Sequence, residues 1–222
     1  MYLPRRYEVT DLGTLHEFVR EHPLGAWIRQ QDGELVADHI PFLLEPSKGE
    51  FGTLYGHVAR ANPAWKALAP DRPSLVLFQG ADAYVTPTWY PGKSEHGRVV
   101  PTWNYAVVHA TGVARAIDDA EWLREHVGRM TDTQERNEAL PWRVSDAPEE
   151  YVRKMVEGIV GVEIPLTRLV GKWKVSQNRD DADRAGVIAG LTGRGDDASR
   201  AMAAMVRAHA PRGPEDAEPP LT

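Results

Sequence analysis

Three stretches of the chain carry residue types that bind flat rings and phosphates. The first is GHVARANP (56–63), where Arg60 follows a strand-like run and Asn62-Pro63 has the form of an N-cap and first helical residue. A helix start offers free N–H groups and partial positive charge, and a guanidinium adds a forked donor. These residues fit a phosphate site for a mononucleotide, and fit equally an N-cap beside a surface arginine. The second stretch joins TPTWYPGK (86–93) to VPTWNYAVVHA (100–110), and Lys93, His96 and Arg98 lie between its two Thr-Trp pairs. The hydroxyls of Thr86, Thr88 and Thr102 and the ammonium of Lys93 suit phosphate. Trp89, Trp103 and Tyr105 suit a flat ring, and Asn104 offers both a donor and an acceptor to its edge. Cross-strand aromatic pairing would use the same residues. The third stretch is GKWKVSQN (171–178) with Asp183-Arg184 behind it. Lys172, Lys174, Arg179 and Arg184 fit an anion site; offset there by Asp180, Asp181 and Asp183, they fit a solvated surface more commonly.

His39, His57 and His109 each fall in the middle of a strand-like run among apolar neighbours. Each fits a half-buried histidine with a hydrogen-bond partner, or a shared pocket. Their spacing does not make a metal set.

The elements that must position these residues alternate mostly with period two. Strand-like runs fall at 24–30, 34–45, 52–59, 74–80, 83–89, 102–117 and 161–178. Asp32-Gly33 between the first two is a hairpin signal, and Ala81-Asp82 reads as a short turn. Helical spacing marks 10–22, 119–131, 148–159, 180–190 and 197–209. In the third of these, Tyr151, Val152, Met155, Val156 and Ile159 form the expected apolar face. Strands grouped in one block with helices on its flank predict a mainly β fold, an antiparallel β-barrel or closed sheet, and not a βαβ fold. No Gly-rich strand-to-helix turn is present, which excludes dinucleotide and P-loop fingerprints.

The 222 residues suffice for one good-sized domain. The absence of cysteine excludes disulfides, thiolate metal sites and a thiol nucleophile. A net charge of -6 argues against a dedicated nucleic-acid binder, which needs a basic face. No apolar run is long enough to span a membrane, and MYLPRRYEVTDLG has no signal-peptide core, so the expected location is the cytoplasm. The tail APRGPEDAEPPLT (210–222) is Pro-rich and acidic and reads as disordered.

YLP near the start, GHVARANP, TPTWYP with Lys93, VPTWNYAVVHATG, and GKWKVSQN followed by Asp183-Arg184 together resemble the PaiB-type proteins, described as FMN-binding negative transcriptional regulators. The resemblance covers roughly 1–191, with a helical insertion at about 118–160, and leaves 192–222 as a C-terminal helix and tail. Ala64 departs from the pattern, which usually carries a larger residue before Trp65. The resemblance implies a split antiparallel β-barrel of the FMN-binding type, homodimeric, with flavin at the subunit interface. In that picture Arg60, Thr102 and Lys93 contact phosphate, with Asn62 and Thr86 beside them. Trp89, Trp103 and Tyr105 line the ring, Asn104 bonds its edge, and His57 and His109 set polarity near the reactive face. The implied role is redox or ligand sensing in transcriptional regulation. Relatives of the barrel also act as flavin-dependent oxidoreductases or handle haem, for which His39, His57, His96 or His109 would supply an axial bond. A DNA-binding repressor is a further alternative that the sequence supports only weakly, since no basic recognition helix is present.

Overall fold

A computed structural model describes residues 1–209, so the expected tail at 210–222 lies outside the described residues. In chain order the first elements are β1 (Glu8–Val9), α1 (Leu12–Glu21), β2 (Leu24–Gln31), β3 (Glu34–Pro41), β4 (Leu43–Glu45) and β5 (Thr53–Ala59). Next come β6 (Ser74–Val85), α2 (Gly92–Glu95), β7 (Thr102–Gly112) and β8 (Arg115–Ile117). The last are α3 (Ala120–Gln134), α4 (Glu149–Glu157), β9 (Ile159–Lys174), α5 (Asp181–Arg194) and α6 (Asp197–Ala208). The strand order is β3-β2-β6-β7-β9-β5-β4, and β1 and β8 also pair with β9.

The chain divides into two compact units. The first holds Met1–Leu15, Gln79–Val108 and the chain from Val170 on; the second holds His16–Phe78 and His109–Leu169.

In the second unit β2 and β3 form a hairpin with Leu24 opposite Pro41 and Gln31 opposite Glu34. Its turn needs two residues in the left-handed region, and Asp32 (φ 52°) and Gly33 (φ 87°) supply them. β5 runs antiparallel between β4 and β9, with Tyr55 opposite both Leu43 and Glu163. Trp27, Leu54, Val76, Phe78 and Ile164 of the strands, with Phe42 between β3 and β4, are among its largest fully buried side chains. Leu123 of α3 packs with Val152 and Val156 of α4.

In the first unit β1 pairs with β9, Glu8 opposite Lys172. Val85, Val108, Trp173, Val175, Val187, Leu191, Met202 and Val206 are buried. The two C-terminal helices start at aspartate caps: Asp180 accepts from the Asp183 N–H and Asp196 from the Ser199 N–H, each at 2.8 Å. Gly195 ends α5 with φ 76°, a conformation that favours glycine.

Five local expectations are corrected. Runs 74–80 and 83–89 are not two strands. β6 continues through Ala81-Asp82, and none of residues 80–82 has the positive φ of a type I′ or II′ hairpin turn. Run 102–117 is broken at Val113 and Ala114, and β8 resumes opposite β9. Run 34–45 divides at Phe42, whose ring is buried. The helix opened by Asn62-Pro63 is a 3-10 turn, Pro63–Ala67. On α4 only Val152 and Val156 face inward; Tyr151 and Met155 are exposed, because one buried stripe on a short helix takes residues four apart.

Candidate functional site

The first unit carries the most suggestive surface. Along β7 burial alternates: Asn104, Ala106 and Val108 point inward, while Trp103 and Tyr105 point out. Trp103 is 55% exposed, and Tyr84 of β6 meets its ring edge-on at 5.9 Å. Lys172 and Lys174 stand two residues apart on β9, so both project from one face of that strand. The Lys174 ammonium donates to the Thr102 hydroxyl, and to the Trp103 carbonyl at 2.7 Å. The Lys172 ammonium lies 5.3 Å from the Tyr105 ring centroid. Thr102, Trp103 and Tyr105 are therefore grouped with Tyr84, Lys172 and Lys174. This gives open aromatic surface with two ammonium groups and a hydroxyl beside it. It can seat a planar ring and bind an acidic substituent.

The other expected residues of this unit have structural roles or sit apart. Asn104 is buried, and its amide donates to the Ser176 hydroxyl at 2.9 Å. Gln177 accepts from the Val175 N–H at 2.8 Å and donates to the Trp173 carbonyl at 2.6 Å, so SQN folds the chain out of β9. The Trp89 ring fills a notch at Gly190 of α5, with the Arg194 guanidinium 4.4 Å over it. Thr86 caps the turn Pro87–Trp89, and its hydroxyl bonds that of Thr88 at 2.7 Å. Lys93 lies exposed on α2.

In the second unit Arg60 is heavily committed. Its Nε donates to the Glu157 carbonyl at 2.7 Å, both terminal nitrogens reach Asp118 at 2.9 and 2.7 Å, and Nη2 also reaches the Ile159 carbonyl at 3.0 Å. Four of its five N–H groups are thereby used. Asn62 caps the 3-10 turn by accepting from the Ala64 N–H at 2.9 Å, and its amide donates to Asp38 at 3.0 Å. Asp38 also pairs with the buried Arg29 at 2.5 Å. His109 is half-buried on β7.

His57 Nδ1 lies 3.3 Å from His126 Nε2, and the His126 ring stacks on Trp122 at 5.0 Å. His126 is 4% exposed. Burial, then the nearby His57 and Arg129, pushes its imidazole down to about 4; burial lowers His57 as well. A cavity of about 360 Å³ opens here, lined in part by Lys48, Tyr55, Trp122, His126 and Arg129. The Tyr55 hydroxyl donates to Glu163 at 3.0 Å and accepts from Lys48 at 2.6 Å, and Arg115 holds the other Glu163 oxygen at 2.6 Å. Burial raises Glu163, but the hydrogen bonds from Arg115 and Tyr55 outweigh it and leave the carboxyl below its usual range. Sequence reading missed this cluster because its members come from five separate segments. Tyr84 has a usable signal, the period-two alternation of β6, whereas the sequence already names Lys172 and Lys174 as residues that fit an anion. Among the described residues no group of three or more His, Asp or Glu forms a metal set, and no helix is long and apolar enough to cross a membrane.

Comparison with known proteins identifies the family and the fold. Residues 1–168 match the family described as "Putative FMN-binding domain", and the chain belongs to that family. An uncharacterized protein of Emericella nidulans is 36% identical over 242 residues, covering 93% of this chain and 96% of that protein. Protease synthase and sporulation protein PAI 2 of Bacillus subtilis is 30% identical over 206 residues, covering 93% and 96%. Among solved structures, the flavocytochrome Anf3 of Azotobacter vinelandii superposes with a TM-score of 0.58 at 17% identity, covering 83% of this chain and 78% of that one. An FAD- and heme-binding protein of Mycobacterium smegmatis gives 0.58 at 18% identity, covering 81% and 79%. The expected fold class stands: mainly antiparallel β with flanking helices, of the FMN-binding split-barrel type.

Proposed function

We propose that this member of the FMN-binding family holds FMN on the outward face of β6, β7 and β9 in its first unit. Trp103, with Tyr84 edge-on to it, and Tyr105 offer the isoalloxazine its apolar contact. Lys174 and Thr102 offer donors to the polar part of the ligand, while Lys93, exposed on α2, stands outside this group. Arg60 and Asn62 are left out of this assignment because their donors already hold the second unit together. The observation that carries the reading is Trp103, a large aromatic left 55% exposed in mid-strand beside two lysines. Unlike a ring exposed singly, an exposed group of aromatics beside cations marks a ligand or partner surface.

Bound FMN would supply the electron-transfer chemistry, for which this cysteine-free chain has no thiol of its own. The chain's residues bind the ring, orient it and exclude water from one side. A second copy covering the Trp103 face would complete the site, and the role would be redox or ligand sensing in regulation. The PaiB-like motifs VPTWNYAVVHATG and GKWKVSQN support that role.

Titration of the protein with FMN, followed by quenching of flavin fluorescence, tests the reading. Saturable quenching is expected, and Trp103→Ala should weaken binding about 5- to 150-fold, since stacking on an aromatic contributes about 1–3 kcal/mol. No quenching by the native chain would overturn the proposal. Hemin titrated in parallel checks the alternative cofactor: a Soret band without flavin binding would transfer the assignment to haem.

A further inference from the structure

We infer that Lys172 reads the phosphomonoester dianion of the ligand on this face, and so selects a phosphorylated flavin over an unphosphorylated one. The inference rests on the flavin reading above.

Lys172 is 8% exposed. A lysine buried so deeply is normally ion-paired, because an ammonium loses its hydration on entering the protein. Lys172 has no such partner among the described residues. Its polar contact is the Tyr2 carbonyl at 3.2 Å, and the Tyr2 and Tyr105 ring centroids lie at 5.9 and 5.3 Å. Glu8 stands opposite it in the β1–β9 register, yet the two form no ion pair. The ammonium is thus held by one carbonyl dipole and two ring faces, all acceptors weaker than an anion.

Tyr2 is 84% exposed, so its carbonyl can leave without uncovering core. A phosphate group would replace that dipole with charged oxygens, and a charge-assisted hydrogen bond is about twice as strong as a neutral one. Lys174 lies two residues along the strand, so the same group can be met by a second cation. The burial of Lys172 leaves little water to compete for it.

Dissociation constants for FMN and for riboflavin test this in the native chain, in Lys172→Met and in Lys172→Arg. Inorganic phosphate serves as a competitor, because it shares the chemistry without the ring. The native chain should prefer FMN by about 10- to 100-fold, the value of one charged hydrogen bond. Lys172→Met should abolish most of that preference, weakening FMN far more than riboflavin, and Lys172→Arg should retain it. Phosphate should compete with FMN and not with riboflavin. Circular dichroism of both variants separates a lost contact from a lost fold, and the arginine variant keeps the test valid where the methionine variant is unfolded. An unchanged FMN-to-riboflavin ratio in folded Lys172→Met, or equal loss of both flavins, would overturn the inference. Failure of both flavins to bind the native chain would overturn the parent reading instead.

Discussion

Mild acid will destabilise the second unit, and His126 will carry much of the loss. Its imidazole titrates near 6.5 in the unfolded chain and at about 4 in the folded one, where burial, His57 and Arg129 oppose the charge. Between those values the unfolded chain binds more protons, so stability rises with pH across the window. The contribution is fully present above 6.5 and is lost as pH falls toward 4. A gap of about 2.5 pH units corresponds to about 3 kcal/mol in all, of which about 2 kcal/mol is gone by pH 5. His57 and His22, both lowered chiefly by burial, add losses of the same sign. The carboxylates held low by hydrogen bonds, Glu163 and Glu45 among them, lose their stabilisation only at more acid pH. Urea unfolding at about pH 7.5 and about pH 5, followed by tryptophan fluorescence, reads the difference directly. His126→Gln removes the titrating group and should flatten the pH dependence by about 2 kcal/mol, even though it lowers stability at neutral pH. If that variant keeps the native pH dependence, the His57–His126 pair is not the buried, uncharged contact described here.

Two further substitutions separate scaffold from site. A side chain at Gly190 would overlap the Trp89 ring, so Gly190→Ala should cost about 1–3 kcal/mol by overpacking and lower the melting temperature. Arg60→Ala removes the ties to Asp118, Glu157 and Ile159 and should lower the melting temperature while leaving the FMN dissociation constant unchanged. A large loss of FMN affinity in a folded Arg60→Ala protein would return Arg60 to the ligand.

The fold was legible where the pattern is local. Asp32-Gly33 forces a hairpin, period two marks the strands, and Asn62-Pro63 marks a capped turn. Errors arose where composition suggests a break or a face that the folded chain does not use. Ala81-Asp82 looks like a turn but stays extended within β6, and α4 buries only the stripe that meets Leu123. The site was legible by residue type and less so by direction. Trp89 and Trp103 sit in near-identical Pro-Thr-Trp contexts, yet one fills a glycine notch more than ninety residues along the chain and the other faces solvent. Arg60 looks like an anion ligand until Asp118, 58 residues away, takes both its terminal nitrogens.

The stretch GKWKVSQN shows why one short motif carries both fold and chemistry. Strand alternation sends Trp173 and Val175 into the core and turns Lys172 and Lys174 to the opposite side. Ser176 then adopts φ 66°, and Asn104 holds its hydroxyl from the buried side of β7. That hydrogen bond fixes how β9 ends relative to β7 within the first unit. It therefore helps fix the distance from Lys174 to Thr102 and from Lys172 to Tyr105. Asn104 does not need to touch a ligand to matter to one: its neighbours Trp103 and Tyr105 present the ring surface, while it secures the strand whose lysines stand beside them.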